Sequence, residues 1–146
     1  MSQTRQSADV NPDNRAQALV VEDEPLMRDL LLKALGDAGF NATGAENGRE
    51  AWRRLRSPNA RCDLLITDIF MPEMDGLELL REVRRERPDL PVLSITGGGS
   101  SGNLQIAKSA ALLGAKEVFN KPLDLVALIG AARKWTTKNT LLSDVT

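Results

Sequence analysis

The sequence predicts an α/β fold in which five βα units build a doubly wound parallel sheet. Short apolar segments recur along the chain and alternate with segments that carry a helical period of apolar residues. Most of the short segments are continuously apolar rather than alternating, which is typical of strands buried on both faces of a parallel sheet. The predicted strands are ALVV (18–21), NATGA (41–45), LLIT (64–67), VLSIT (92–96) and EVFN (117–120), of which NATGA is the weakest.

The segments between these strands carry signals for where helices begin and end. Proline suits the first turn of a helix, glycine suits the position after the last turn, and an Asn or Asp followed three residues later by Glu resembles a capping box. In chain order these signals are Pro25 and Gly39, Asn47 with Glu50, Asp75 with Glu78, a helical segment 104–113 closed by Gly114, and a last helix from about Leu123. Five helices are therefore expected.

The order of the strands follows from the right-handed crossovers that βα units require. Five strands fit the flavodoxin-like order 2-1-3-4-5, in which ligands bind outside the carboxyl ends of the central strands. We expect this domain to cover residues 17–137. A polar, flexible leader (1–16) precedes it and a C-terminal tail (138–146) follows it.

Composition excludes several classes of function. The chain of 146 residues has a net charge of -1, so it lacks an overall field that would attract nucleic acid or anionic lipid. It contains no histidine, which excludes Ser/His/Asp catalysis and histidine-based metal sites. The single Cys62 cannot form an internal disulfide, and the sequence has neither a signal peptide nor an apolar run of membrane-spanning length. We expect a cytoplasmic protein with no membrane partner.

Residues capable of chemistry stand at the ends of the predicted strands: Glu22, Asp23, Asp68, Thr96 and Lys121. In the predicted order the first and third strands are neighbours, so the three acids would crowd one corner and require a cation. Hard oxygen ligands in an open site suit Mg²⁺. A phosphate bridging to Mg²⁺ would also meet the lysine and the threonine hydroxyl, and an aspartate can itself form an acyl phosphate.

Each of these residues also has a purely structural interpretation. Asp68 can cap the loop that follows it, and Asp23 can be the N-cap of the helix that starts at Pro25. A lysine such as Lys121 is ordinarily solvated, and Thr96 suits any strand. Because these residues all stand at the ends of predicted strands, the sequence favours a shared phosphate site over four separate structural roles.

Four segments, LVVEDEPLMR, LLITDIFMPEMDGLELL, VLSITGG and VFNKPL, resemble in order and spacing the receiver domain of two-component response regulators. The resemblance covers about residues 17–135. It implies that Asp68 accepts a phosphoryl group from a histidine kinase or a histidine phosphotransfer protein. It further implies that Mg²⁺ is held by Glu22, Asp23, Asp68 and the backbone carbonyl of Phe70, and that Thr96 and Lys121 sense the phosphate. The peptide bond before Pro122 is expected to be cis.

The sequence departs from the family pattern at the position three residues before Lys121, where the family often has Tyr or Phe and this chain has Val118. We therefore expect the switch to depend on Thr96 and on the glycine-rich loop 97–102. Phe70 and Gly98 stand where side chains of the family influence loss of the phosphate. Neither can orient water, so we expect only slow self-dephosphorylation and no further enzymatic activity.

The output of such a receiver has to be a surface, because the roughly 25 residues after Lys121 cannot hold a DNA-binding module. The expected surface comprises the fourth helix, the fifth strand and the fifth helix, and it binds a downstream protein rather than DNA. Two alternatives remain: a relay that passes phosphate to a histidine phosphotransfer protein, and a binding module that works without phosphate. A phosphatase of the haloacid-dehalogenase type is disfavoured because Phe70 replaces its second aspartate.

Overall fold

A computed structural model describes residues 14–69, 75–97 and 101–145. Within them five strands alternate with five helices, as the sequence predicts. The strands are β1 (Gln17–Val21), β2 (Asn41–Ala45), β3 (Leu64–Asp68), β4 (Val92–Thr96) and β5 (Glu117–Asn120). The helices are α1 (Pro25–Asp37), α2 (Gly48–Leu55), α3 (Gly76–Glu86), α4 (Ser101–Leu112) and α5 (Leu125–Val145).

The strands form one parallel sheet in the order β2-β1-β3-β4-β5, which confirms the predicted flavodoxin-like topology. Strands β1 and β3 are direct neighbours, with Val21 opposite Thr67. Strand β4 lies between β3 and β5, with Asp68 opposite Ile95 and Thr96 opposite Asn120. The carboxyl ends of all these strands therefore meet at one edge of the sheet.

Helices cover both faces of the sheet, because alternate strand residues point to opposite sides. The first core packs α2, α3 and α4 on one face, and its members include Leu19, Leu65, Leu55, Leu79, Val83 and Ala110. The second core packs α1 and α5 on the other face, and its members include Val20, Ile66, Leu31, Leu35, Leu128 and Ala132. Central strands β3 and β4 are buried along their whole length, which explains their continuous apolar sequence.

Most of the predicted helix ends are confirmed. Asn47 and Asp75 accept hydrogen bonds from the backbone N–H three residues later, at 2.8 and 2.9 Å. Gly39 and Gly114, which follow α1 and α4, both have positive φ angles, at 100° and 105°. Helix α5 begins two residues later than predicted, because the Asp124 carboxylate accepts the N–H of Ala127 and acts as its N-cap.

The ends of the chain differ from the expected segments in one respect. Helix α5 continues to Val145, through most of the expected tail 138–146, because no Pro or Gly after Gly130 interrupts it. The expected leader lies outside the described residues except for positions 14–16. No helix in the described ranges has the length and apolar character needed to cross a membrane.

Candidate functional site

Three carboxylates meet at the carboxyl edge of the sheet. Glu22 directly follows β1 and Asp68 ends the neighbouring β3, so the strand pairing alone sets them side by side. One carboxylate oxygen from each of Glu22, Asp23 and Asp68 lies within 4.8 Å of the others. Glu22 and Asp68 are buried and Asp23 is exposed. The structure thus brings together the three acids that the sequence predicted to share one corner.

Lys121 supplies the positive charge of this corner. It follows β5, and its side chain extends past the end of β4 so that Nζ lies 2.9 Å from Asp68 Oδ2. The same Nζ lies 3.5 Å from Glu22 Oε1. The peptide bond between Lys121 and Pro122 is cis, as expected. The lysine is therefore an ion-pair partner inside the site and not a solvated surface residue.

Thr96 ends β4 at the same edge and is fully buried. Its Oγ1 donates a hydrogen bond to Asn120 Oδ1 at 2.7 Å, and its carbonyl oxygen accepts the N–H of Lys121 at 2.8 Å. The hydroxyl therefore has a partner at the end of β5. Sequence reasoning missed Asn120, although a polar residue at the end of the predicted strand EVFN was a signal of the kind that identified the other site residues.

A second set of residues missed by sequence reasoning supports Glu22. Arg28 Nη1 donates a hydrogen bond to the Glu22 carbonyl oxygen at 2.8 Å, while the N–H of Glu24 donates to Glu22 Oε2 at 3.1 Å. The Arg28 side chain lies against Gly44, where an added Cβ would be 3.0 Å from Arg28 Cδ. Arg28 of α1 thus stabilises the loop after β1, and its side chain can pass over β2 at Gly44 because glycine has no side chain there.

Gly76 supports Asp68 in a comparable way. Its N–H donates to the Ile69 carbonyl oxygen at 2.9 Å. A Cβ added at Gly76 would lie 2.5 Å from the Asp68 carbonyl oxygen and 2.5 Å from Ile69 Cα. The start of α3 therefore packs directly on the backbone at the end of β3, a contact that only glycine permits.

Burial and neighbouring charge shift the protonation of the site. Burial raises the pKa of Glu22 from 4.5 to about 7; the hydrogen bond from Glu24 opposes this rise, and the charge of Asp68 adds to it. Burial disfavours the charged form of Lys121, but its hydrogen bond and charge interaction with Asp68 outweigh this effect and raise its pKa. Lys121 therefore stays protonated, whereas Glu22 changes between its protonated and ionised forms near neutral pH.

The residues present fit Mg²⁺. Their carboxylate oxygens are the hard ligands that this ion prefers, and one oxygen of each lies within 4.8 Å of the others. Glu22 Oε1 is buried, lies 3.5 Å from Lys121 Nζ and has no hydrogen-bond partner among the described residues, so it can also bind a cation. Phe70, whose backbone carbonyl is the fourth predicted ligand, lies outside the described residues, as does Gly98.

The two residues at the position of the expected aromatic switch point to opposite faces of the sheet. Val118 packs against the first core, on the side of α4, and Phe119 packs against the second core, on the side of α5. Because adjacent strand residues face opposite ways, Phe119 does not take the place of a ring at position 118. In the glycine-rich segment, Ser101 and Gly102 already belong to α4.

Comparison with known proteins agrees with this fold. The family profile of the response regulator receiver domain matches residues 18–133. A solved structure of a response regulator receiver domain protein from Clostridium thermocellum has a TM-score of 0.77 and 30% sequence identity, covering 87% of this chain and 98% of that chain. The chain belongs to the family of response regulator receiver domains, which act in two-component signal transduction.

Two relatives are similar over different lengths. The DNA-binding transcriptional regulator NtrC of Escherichia coli is 40% identical over 116 residues, which are 77% of this chain and 24% of NtrC. The response regulator receiver protein CpdR of Brucella abortus is 47% identical over 79 residues, which are 54% of this chain and 64% of CpdR. The chain thus spans less than two thirds of the length of either relative.

Proposed function

We propose that this receiver domain is a phosphorylation-dependent switch in which Asp68 accepts a phosphoryl group from a phosphohistidine donor. The observation that carries the proposal is the pairing of the buried Asp68 carboxylate with Lys121 Nζ at 2.9 Å, inside a cluster that includes Glu22 and Asp23. A buried nucleophile beside one cation and two further acids suits phosphoryl transfer better than structural capping.

In the proposed step an Asp68 carboxylate oxygen forms a bond to phosphorus while the phosphorus–nitrogen bond of phosphohistidine breaks. The electron pair of that bond stays on the imidazole of the donor, so no oxidant or other reactant is needed. The 146 residues contain no histidine, so the donor histidine lies outside them, in a histidine kinase or a histidine phosphotransfer protein.

Glu22, Asp23 and Asp68 would hold Mg²⁺, and the Phe70 carbonyl remains a predicted fourth ligand. The ion would supply positive charge that offsets the negative charge on the transferring phosphoryl oxygens. Lys121 then exchanges its contact with the Asp68 carboxylate for a contact with a phosphoryl oxygen. The buried position of Asp68 keeps bulk water away from the acyl phosphate.

The signal would leave the site through Thr96. Its hydroxyl exchanges Asn120 for a phosphoryl oxygen, which releases the end of β5 and changes the surface formed by α4, β5 and α5. The direct bond from the Lys121 N–H to the Thr96 carbonyl couples the two strand ends. We infer that this surface binds a downstream protein and not DNA, in keeping with the net charge of -1.

The phosphorylated state is expected to be long-lived, with no enzymatic activity beyond slow self-dephosphorylation. This expectation depends on the identities of Phe70, whose side chain has no polar group to position water, and Gly98, which has no side chain.

Titration with beryllofluoride in the presence of Mg²⁺, followed by amide NMR, tests the proposal. We expect a saturable response in the wild type and none in Asp68→Asn, because the substituted amide lacks the nucleophilic carboxylate. Asp37→Asn is the matched control, since Asp37 is an exposed residue of α1 whose ion-pair partner in the described part of the chain is Lys33. Absence of a response in the wild type, or an equal response in Asp68→Asn, would favour the phosphate-independent binding module.

A further inference from the structure

The backbone of Glu22 is fixed by two elements that lie outside the acidic corner. Its N–H donates a hydrogen bond to the Ala45 carbonyl oxygen at the end of β2, at 3.1 Å. Its carbonyl oxygen accepts a hydrogen bond from Arg28 Nη1 in the first turn of α1, at 2.8 Å. Its Oε2 accepts the N–H of Glu24 at 3.1 Å. These three bonds together determine where the remaining carboxylate oxygen, Oε1, lies beside Lys121.

Arg28 reaches the Glu22 carbonyl oxygen because β2 has a glycine where the arginine side chain passes. A Cβ added at Gly44 would lie 3.0 Å from Arg28 Cδ, 3.2 Å from Arg28 Cγ and 3.2 Å from Leu32 Cδ1. Contacts this short would require the neighbouring atoms to move. Gly44 thus sets the path of the Arg28 side chain, and Arg28 in turn fixes the Glu22 carbonyl oxygen.

The bond that Arg28 makes to this loop goes to a backbone carbonyl and not to a carboxylate. Other arginines of the described chain pair with acids, as Arg54 does with Glu50. A guanidinium paired with the Glu22 or Asp23 carboxylate would compete with a metal ion for the same oxygens. A guanidinium bonded to the backbone holds the loop and leaves those oxygens available.

We propose that Arg28, placed by Gly44, is a positioning residue of the Mg²⁺ site that holds the Glu22 and Asp23 carboxylates where they converge with Asp68. This inference rests on the proposed function, since it concerns the ion that the acidic corner would hold. Mg²⁺ requires nearly ideal octahedral geometry at short distances, so its affinity depends on how precisely its ligands are held. A loop that is already in its binding conformation loses little conformational entropy when the ion binds.

Two other roles for Arg28 predict different results. A residue that only stabilises the fold lowers the free energy of unfolding when it is replaced and leaves the affinity for Mg²⁺ unchanged. A cation that acts only through its charge repels Mg²⁺, so its removal strengthens binding. The positioning role predicts weaker binding of Mg²⁺ once the bond to the Glu22 carbonyl oxygen is lost, although a positive charge is lost with it.

Titration of the full chain with Mg²⁺, followed by amide NMR in about 0.5 M KCl to screen the general effect of charge, tests the role of Arg28. We expect Arg28→Met to bind Mg²⁺ about 2- to 10-fold more weakly than the wild type, because it loses the hydrogen bond and keeps an unbranched side chain. Arg28→Lys, which keeps the charge and a donor, should restore part of the affinity.

Lys33→Met is the matched control, since it removes an exposed cation of the same helix that pairs with Asp37. It should bind Mg²⁺ like the wild type. Unchanged or tighter binding in Arg28→Met, or equal weakening in Lys33→Met, would overturn the proposal.

Gly44 provides a second test, in which no charge changes. We expect Gly44→Ala to weaken Mg²⁺ binding about 2- to 5-fold, because the new methyl group displaces Arg28 Cδ and distorts the bond to Glu22. In an Arg28→Met background the same substitution should have no further effect. Gly36→Ala is the control, since nothing lies within 4 Å of a Cβ added there. No effect in the wild type, or an equal effect in both backgrounds, would show that Gly44 does not act through Arg28.

Hydrogen exchange without metal separates this inference from the proposed function. In EDTA the N–H of Glu24, which donates to Glu22 Oε2, should exchange faster in Arg28→Met than in the wild type, because the loop is held less firmly. Absence of Mg²⁺ binding by the wild type would overturn the proposed function, and faster exchange of Glu24 would still show that Arg28 holds the loop. Wild-type Mg²⁺ binding that Arg28→Met leaves unchanged would overturn the positioning role alone.

Discussion

At the scale of single residues, the hydrogen bond between Thr96 and Asn120 decides how readily the proposed switch can act. Thr96 Oγ1 donates to Asn120 Oδ1 at 2.7 Å, so the hydroxyl has to give up this bond before it can contact a phosphoryl oxygen. A hydrogen bond of this kind contributes roughly 0.5–1.5 kcal/mol net. In the proposed switch, Asn120 therefore opposes the phosphorylated state by a free energy that a single substitution can remove.

We predict that Asn120→Ala binds beryllofluoride about 2- to 10-fold more tightly than the wild type, because the Thr96 hydroxyl no longer has to leave a partner. Isothermal titration in the presence of Mg²⁺ measures this change. Thr96→Val should bind more weakly, and in a Thr96→Val background Asn120→Ala should have no effect. If Asn120→Ala still tightened beryllofluoride binding in the Thr96→Val background, Asn120 would not act through the Thr96 hydroxyl and the prediction would be wrong.

At the scale of secondary-structure elements, the contact between the start of α3 and the end of β3 sets the position of Asp68. The N-cap Asp75 orients α3, and Gly76 lets the first turn of α3 pack against the backbone at the end of β3. The sequence predicted the N-cap but not the packing of Gly76 on this backbone. The Asp75-Gly76 pair was the available signal, because glycine after a cap is costly in a helix unless a neighbour requires it.

We predict that Gly76→Ala destabilises the protein by about 1–3 kcal/mol, because the new methyl group meets the backbone of Asp68 and Ile69 and not a flexible side chain. It should also weaken beryllofluoride binding, since Asp68 has to move. Urea unfolding and the beryllofluoride titration measure the two effects.

Gly130→Ala is the matched control for this substitution, because it lies in α5 with nothing within 4 Å of an added Cβ. There alanine should stabilise the protein by about 0.5–1 kcal/mol. Equal stabilisation by both substitutions would contradict the close packing of α3 on β3.

At the scale of the whole molecule, acidic side chains are concentrated at the carboxyl edge of the sheet. Glu22, Asp23 and Asp68 meet there around Lys121, although the whole chain has a net charge of only -1. Because Glu22 is buried at this edge, we expect the stability of the protein to depend on pH.

We predict that stability without metal falls as pH rises from about 4.5 to about 7 through the contribution of Glu22. The folded state raises the pKa of this carboxyl to about 7 by burial, so it holds a proton that the unfolded chain has already released. Glu22→Gln should remove this contribution and be more stable than the wild type at pH 8 by on the order of 3 kcal/mol.

Urea unfolding in EDTA at pH 5 and pH 8 measures this difference, with the exposed Glu46→Gln as control. Saturating Mg²⁺ should reverse the order at pH 8, because binding to the native state stabilises the wild type. Wild-type and Glu22→Gln profiles that stay parallel across this range in EDTA would contradict the prediction.

Much of the architecture could be read from the chain because its signals are local. The continuous apolar character of β3 and β4, the caps Asn47 and Asp75, and Gly39 and Gly114 each act within a few residues of the structure they specify. The course of α5 beyond residue 137 was not anticipated, since polar residues alone do not end a helix that lacks Pro or Gly.

The sequence by itself determined the five βα units, their order, and the acids, threonine and lysine of the candidate site, because side chains at the ends of parallel strands necessarily share an edge. Only the tertiary structure decided which atoms of these residues meet. The contact of Arg28 with Gly44 and the contact of Gly76 with the Asp68 backbone each join two different elements of the fold. Such contacts depend on how helices pack on a sheet, and no local pattern of residues encodes that geometry.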